Sequence, residues 1–287
     1  MAREIRTVGV VGLGTMGAGI AQVCIEAGFP VVGREIGAEA GERARGRIDH
    51  FLTRKVDKGQ LEEAAKDETI ARLEVVTELE ALAGCDLVIE AAFEDLEVKH
   101  ELVRALDGVL APDAIRATNT SALSVTEIAS ASAHPQQWVG MHFFNPAPLM
   151  KLVEIVRAQR TDEDVFEAAY AFAERIGKEP IRCNDTPGFV VNRILIPLLN
   201  DCVRVLDEAG VTPEDLDKAM RFGAGWPMGP TTLVDLVGID VHVHASEALW
   251  GGLREPRMAP PARLVAMAKA GKLGRKSGEG FHRYDEG

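Results

Sequence analysis

Short apolar runs separated by segments of helical spacing fill the first part of the chain. Val8–Val11, Val31–Val32, Leu87–Ala92, Ile115–Thr118 and Trp138–Met141 are predicted strands, and Leu152–Val156 is an apolar strand with one acid inside it. This alternation predicts βαβ units and a mostly parallel sheet. Between Ala38 and Ala71 the pattern is charged and helical without strand signals, which predicts a helical hairpin inserted into the sheet domain. The texture changes at Asp185-Thr186-Pro187-Gly188. There Thr186 is a candidate helix N-cap, with Pro187 at the first helical position. Apolar side chains at helical spacing run from Phe189 to Ala209 and stop at Gly210, and Thr212-Pro213-Glu214-Asp215 repeats the capped start. No strand signal follows. The expected fold is therefore α/β: a Rossmann-type doubly wound sheet with a helical-hairpin insertion over 1–185, then a smaller all-α domain over 186–287.

Composition narrows the class. A chain of 287 residues with 46% hydrophobic and 26% charged residues is an ordinary globular protein, long enough for a full core. The net charge of −12 argues against nucleic acid as a partner, since a polyanion is repelled on average. No apolar run reaches the roughly 18 residues of a membrane span. The two arginines within Met1–Arg6, Arg3 and Arg6, mimic the start of a secretory leader, but the apolar stretch that follows carries Gly9, Gly12, Gly14, Gly17 and Gly19, which have a better explanation. Cys24, Cys85, Cys183 and Cys202 show no C-x-x-C spacing, so no metal site or redox pair is expected. They read as buried thiols of a cytoplasmic protein.

Gly12-Leu13-Gly14-Thr15-Met16-Gly17 is G-x-G-x-x-G, placed after a strand and at the start of a helix reaching about Ala27. Gly12 allows the tight turn, Gly14 a close approach of a pyrophosphate, and Gly17 close packing of helix on strand. The helix N-terminus adds unpaired N–H groups for the phosphates. Glu35, at the end of the second strand, stands where a carboxylate binds the ribose hydroxyls of NAD. Arg34 beside it could instead accept the 2′-phosphate of NADP; Glu35 would repel that phosphate, so NAD is favoured.

Two polar segments stand at strand ends where such sheets bind ligands: Asn119-Thr120-Ser121, and His142 leading into Phe143-Phe144-Asn145-Pro146. A histidine there can take a proton as hydride leaves the same carbon. Glu154, the acid inside the Leu152–Val156 strand, is costly unless paired, and His142 would satisfy it. The plainer readings are a structural histidine, a solvent-facing acid, and Ser121 as a mere helix cap. Spacing alone does not decide between them.

Over nearly its whole length the chain resembles the 3-hydroxyacyl-CoA dehydrogenase family. The matching segments are Gly12–Gly17, Ile89-Glu90-Ala91-Ala92-Phe93-Glu94, Asn119-Thr120-Ser121, His142-Phe143-Phe144-Asn145-Pro146, Lys151-Leu152-Val153-Glu154, Asp185-Thr186-Pro187-Gly188-Phe189-Val190-Val191-Asn192-Arg193, Pro227-Met228-Gly229-Pro230 and Lys276-Ser277-Gly278-Glu279-Gly280-Phe281. The resemblance implies NAD-dependent, reversible oxidation of a 3-hydroxyacyl-CoA, such as 3-hydroxybutyryl-CoA, in fatty acid or related acyl-CoA metabolism. It implies His142 as base, Glu154 as its partner, and Ser121 and Asn192 holding the reacting oxygen and substrate. It further implies contacts to NAD from Glu35, Glu94, Lys99, Ser121, Asn145 and Lys276, and to CoA from Lys58. The active site would then lie between domains, and the helical domain would form a homodimer. Phe51 departs from the small polar CoA contact that relatives can place there.

Residues 43–58 support CoA independently, with Arg43, Arg45, Arg47, Arg54, Lys55 and Lys58 against Asp49 and Asp57, or six minus two, +4. A solvated helix surface is the competing reading. Two other functions compete with the main one. The first is a related dehydrogenase of a free hydroxy or sugar acid such as gulonate. The second is a nonenzymatic nucleotide-binding or structural role.

Overall fold

The computed structural model describes residues 3–284, and the chain divides into two compact units, Met1–Thr186 and Pro187–Gly287. The first unit is built on an eight-stranded sheet, with β1 Val8–Val11, β2 Val31–Arg34, β3 Leu73–Val76, β4 Leu87–Glu90, β5 Ile115–Thr118, β6 Trp138–Phe143, β7 Leu152–Arg157 and β8 Glu179–Asn184. Their order is β3-β2-β1-β4-β5-β6-β7-β8. The pairs are parallel except β6 with β7. From β1 the chain winds first to one side and then, at β4, to the other. The connections after β1 and β4 thus diverge and leave a crevice at the carboxyl edge, where doubly wound sheets bind ligands.

Helices α1 Thr15–Glu26, α4 Leu96–Asp107, α5 Val125–Ala129 and α6 Glu163–Arg175 cover the two faces. Strand parity sorts the side chains between them. Val8, Val10, Ile89, Ala117, Met141, Phe143, Val153 and Ile155 pack with Ile20, Ile25, Phe166 and Phe172. Val11, Val88 and Trp138 pack with Val103, Leu106 and Ile128 on the other side. The expected hairpin is present as α2 Ala38–Asp57 and α3 Glu63–Ile70, joined by Lys66 with Asp49 at 3.2 Å. Its charges are not all free, however. Arg45 donates to the Leu73 carbonyl, Arg47 to the Leu13 carbonyl, and Lys55 pairs with Glu26.

The strands differ from the sequence pattern at their ends and at the sheet's edges. Ala91 and Ala92 leave the sheet, while β6 and β7 run further, to Phe143 and Arg157. The sequence pattern misses β3 and β8, the two edge strands. The first is four residues long, and the second contains Pro180, which an edge tolerates because the position needs no ladder donor.

The second unit is helical, with α7 Val191–Ala209, α8 Pro213–Lys218, α9 Pro230–Val237, α10 Ile239–Leu253 and α11 Ala262–Lys269 around Leu199, Val203, Val234, Ile239 and Leu264. Among the described residues it holds isolated bridges but no strand. Thr212 caps α8 by accepting the Asp215 N–H, as its motif implies. Thr186 and Pro187 do not start a helix. The chain passes through left-handed backbone at Gly188 (φ 76°) and Phe189 (φ 49°), and α7 begins only at Val191. Left-handed backbone cannot belong to a right-handed helix, and a Cβ at Gly188 would fall 2.6 Å from Leu249 and 2.9 Å from the Arg193 nitrogen, so only glycine fits this turn.

Cys24, Cys85 and Cys202 are buried free thiols, whereas Cys183 is only half-buried. Burial pushes the Cys24, Cys85 and Cys183 thiols up to about 12, so they are protonated and unreactive at neutral pH. Among the described residues no helix is long and apolar enough to cross a membrane.

Candidate active site

The glycine loop turns β1 into α1. Gly12 has φ 84°, and a Cβ there would sit 2.9 Å from the Ala91 carbonyl. A Cβ at Gly17 would lie 1.8 Å from the Gly12 carbonyl oxygen, so only glycine lets α1 approach the loop. Gly14 has nothing within 4 Å of its missing Cβ. An open cradle over Gly14, Thr15 and Met16 at a helix N-terminus fits a dinucleotide pyrophosphate. Glu35 stands beside the loop. One of its oxygens accepts the Leu13 N–H at 2.8 Å and the other the Ile36 N–H at 2.8 Å. A carboxylate has about four acceptor sites, so it keeps capacity for two ribose hydroxyls. Arg34 is turned to the Thr77 carbonyl, 3.0 Å away. These residues fit NAD, which when bound supplies the hydride acceptor.

Across the crevice, β4 ends in Glu90 and leads to Glu94. One Glu94 oxygen receives the Thr120 hydroxyl at 2.7 Å, the Ser121 N–H at 2.8 Å, the Ala122 N–H at 3.1 Å and the Ser121 hydroxyl at 3.3 Å. Burial opposes its charge, but Lys99, the Thr120 hydroxyl and the two loop N–H groups outweigh burial and hold the Glu94 carboxyl below the usual range. Lys99 is 1% exposed and lies on Glu90 at 2.7 Å and Glu94 at 3.4 Å. Lys99, which the resemblance assigns to NAD, thus has its ammonium held inside by two carboxylates. Ser121 is not the helix cap either, for Ser124 caps α5 by accepting the Glu127 N–H.

His142 and Glu154 are direct partners in the antiparallel ladder of β6 and β7. Both are buried, and His142 Nδ1 lies 2.6 Å from Glu154 Oε2. With Nδ1–H donating its hydrogen bond to the carboxylate, Nε2 carries the lone pair of the neutral ring and can act as a base. Phe144 packs on the imidazole with ring centroids 4.5 Å apart. Asn119 ties the Ser121 loop to the same strand, its Oδ1 accepting the Phe143 N–H at 2.9 Å. Asn145 follows, exposed, in a cis bond to Pro146.

Three further expected site residues stand on other elements. Lys58 is exposed just past α2 and does not line the shallow depression on that helix, which has a volume of about 410 Å³ and is lined by Arg43, Gly46, Arg47, His50 and Phe51. Asn192 is on the first turn of α7 in the second unit, partly buried. Lys276, also in the second unit, pairs with Asp240 at 2.6 Å. Glu90, Thr118 and Thr120 were not anticipated as individual site residues; an acid closing an otherwise apolar strand was the available signal for Glu90.

The first unit, residues 7–186, matches the model for the 3-hydroxyacyl-CoA dehydrogenase NAD binding domain, and residues 188–284 match that for the 3-hydroxyacyl-CoA dehydrogenase C-terminal domain. The chain belongs to the 3-hydroxyacyl-CoA dehydrogenase family. It is therefore an NAD-dependent oxidoreductase. A probable 3-hydroxybutyryl-CoA dehydrogenase of Deinococcus radiodurans is 42% identical over 276 residues, covering 96% of this chain and 99% of the relative. A 3-hydroxybutyryl-CoA dehydrogenase of Bradyrhizobium diazoefficiens is 42% identical over 284 residues, covering 99% and 97%. The crystal structure of an (S)-3-hydroxybutyryl-CoA dehydrogenase from Ralstonia eutropha superposes with a TM-score of 0.96 at 39% identity, covering 99% of this chain and 100% of that one.

Proposed function

We propose that this family member catalyses reversible oxidation of short-chain 3-hydroxyacyl-CoA, 3-hydroxybutyryl-CoA among them, in cytoplasmic acyl-CoA metabolism. The buried His142–Glu154 pair at the carboxyl edge of the sheet carries the reading. His142 Nε2 takes the hydroxyl proton as the C3 hydrogen leaves as hydride and the carbon–oxygen double bond forms. Glu154 stabilises the imidazolium that results. Ser121 and Asn192 are assigned to hold the reacting oxygen and orient the substrate. Gly12, Leu13, Gly14, Thr15, Met16, Gly17 and Glu35 are assigned to NAD, with Glu94, Asn145 and Lys276, while Lys99 acts behind Glu94.

The outer face of α2 supports the CoA half of the substrate. Phe51 is 48% exposed there, beside Arg43, Arg47 and His50, and Gly46 leaves the surface open. An aromatic face with cations around it suits a phosphorylated adenine nucleotide. A free sugar acid such as gulonate has no use for this surface. The helical unit exposes Ile194, Val205, Leu236, Val237, Val241 and Trp250, which supports association of two copies.

Following NADH formation with 3-hydroxybutyryl-CoA, free 3-hydroxybutyrate and gulonate tests the reading. Turnover is expected with the CoA ester and, at equal concentration, at least about 10-fold less with either free acid. Equal rates with the free acids would remove the CoA assignment, and no turnover of any substrate would remove the enzymatic one.

A further inference from the structure

We propose that Glu90 is a positioning residue for the reaction, setting through Lys99 and Glu94 where the Ser121 loop stands. The proposal rests on the function proposed above. Glu90 is the last residue of β4 and is 1% exposed. Its carboxylate receives four donor contacts: Lys99 Nζ at 2.7 and 2.9 Å, the Thr118 hydroxyl at 2.7 Å and the Ala92 N–H at 2.6 Å. Lys99 passes the connection on to Glu94 Oε2 at 3.4 Å, and Glu94 Oε1 gathers Thr120, Ser121 and Ala122. Two carboxylates therefore share one buried ammonium, and the more exposed of them anchors the loop that carries Ser121. On the opposite side, Ala91 lies directly against the glycine loop, within 2.9 Å of where a Gly12 Cβ would stand. One short segment thus touches both halves of the crevice.

Fold stability does not account for this arrangement. A buried ion pair often gives way to apolar residues without loss, so its net contribution to stability is small or negative. What it fixes is geometry. With Glu90 charged, Lys99 is held low, and Glu94 is left to the loop donors. With that charge removed, Glu94 is the carboxylate still in reach of the ammonium, and the two draw together at the expense of the Thr120–Ala122 contacts. Gln at position 90 still offers an oxygen to Ala92 and Thr118, so the glycine-loop side is disturbed least.

The test compares wild type, Glu90→Gln and Glu90→Gln/Lys99→Met, all with NAD and 3-hydroxybutyryl-CoA. The readouts are the pre-steady-state rate of NADH formation and the Kd for NAD. In Glu90→Gln the rate is expected to fall by about 10- to 100-fold, since small misplacements of orienting groups cost that much. The Kd for NAD should rise by less than the rate falls, because Glu94 is one of several groups assigned to the cofactor, a split that a general loss of structure would not produce. The double variant, which removes the ammonium left unpaired, should regain at least about 3-fold of the lost rate. An unchanged rate in Glu90→Gln, an equal loss of NAD affinity, or a double variant no faster than the single would each overturn the proposal. Should Glu90→Gln not fold, Thr118→Val, which removes one hydrogen bond to Glu90 and keeps every charge, should lower the rate in the same direction; no change would overturn it. Wild-type protein that turns over no 3-hydroxyacyl-CoA would instead sink the functional reading.

Discussion

His142 and Glu154 face each other across the β6–β7 ladder, Nδ1 2.6 Å from Oε2, with 7% and 0% of their side chains exposed. The pairing follows from register. Met141, Phe143, Val153 and Ile155 point into one core, so the residues between them, His142 and Glu154, share the opposite face. Glu154→Gln should keep the shape and lose the charge. Its amide can also present N–H to Nδ1 and so select the wrong tautomer. We expect kcat to fall by about 100-fold or more, with NAD affinity unchanged in a fluorescence titration. A variant with wild-type kcat would mean that the pair serves packing alone.

Two glycines of the loop should separate ligand binding from folding. Gly14 faces open space, whereas a Cβ on Gly17 runs into the Gly12 carbonyl oxygen. Gly14→Val is expected to leave the melting temperature near wild type and weaken NAD at least about 10-fold, through loss of close approach. Gly17→Ala should lower stability by about 1–3 kcal/mol, as overpacking does. Calorimetry and NAD titration of both variants check this, and unchanged NAD affinity in Gly14→Val would place the pyrophosphate elsewhere.

Much of this was legible in the sequence, and for identifiable reasons. The glycine loop announces itself because Gly12 and Gly17 answer steric demands that no other residue meets, while Gly14 leaves open space in which a cofactor fits. The strands of the sheet centre show as apolar runs because they are covered on both faces. The Thr212 cap was readable from its own motif. The edge strands β3 and β8 were not, since one open edge leaves them short, charged or proline-bearing. Nor was the fate of Lys99 or Arg47, because a cation on a helix looks the same in sequence whether it meets solvent, a buried carboxylate or a backbone carbonyl. The Glu90–Lys99–Glu94 chain spans β4, α4 and the loop between them, and only their packing brings it together.

Cofactor choice follows from Glu35 and Arg34. The carboxylate stands at the glycine loop while the guanidinium is held by the Thr77 carbonyl. The 2′-phosphate of NADP would meet the carboxylate first. We expect kcat/KM for NAD to exceed that for NADP by at least about 10-fold. Equal values would mean that Arg34 leaves Thr77 to accept the phosphate.

Acid should loosen the helical unit through His242. This residue is 1% exposed, its Nε2 lies 2.9 Å from Asn200 Oδ1, and Ser246 completes the cluster. Burial drives the His242 pKa down from 6.5 to about 4. Between those values the unfolded chain binds a proton that the folded chain refuses, so stability falls as pH drops from about 6.5 towards 4 and is unaffected by this group above that range. Near pH 5 the loss is of order 2 kcal/mol. Urea midpoints at neutral pH and near pH 5 should therefore diverge less in His242→Gln, which keeps an N–H for Asn200. An identical pH dependence in both proteins would rule His242 out as the acid-sensitive group.

The most direct test of the mechanism is turnover of 3-hydroxybutyryl-CoA with NAD by His142→Ala, read as NADH formation under saturating conditions and paired with an NAD titration. His142 is the proposed base, and its replacement leaves the glycine loop untouched. The expected result is a fall in kcat of about 10²–10⁴-fold, the usual contribution of a positioned acid–base group, with NAD affinity preserved. Near-normal turnover by His142→Ala would contradict the assignment of His142 as the base.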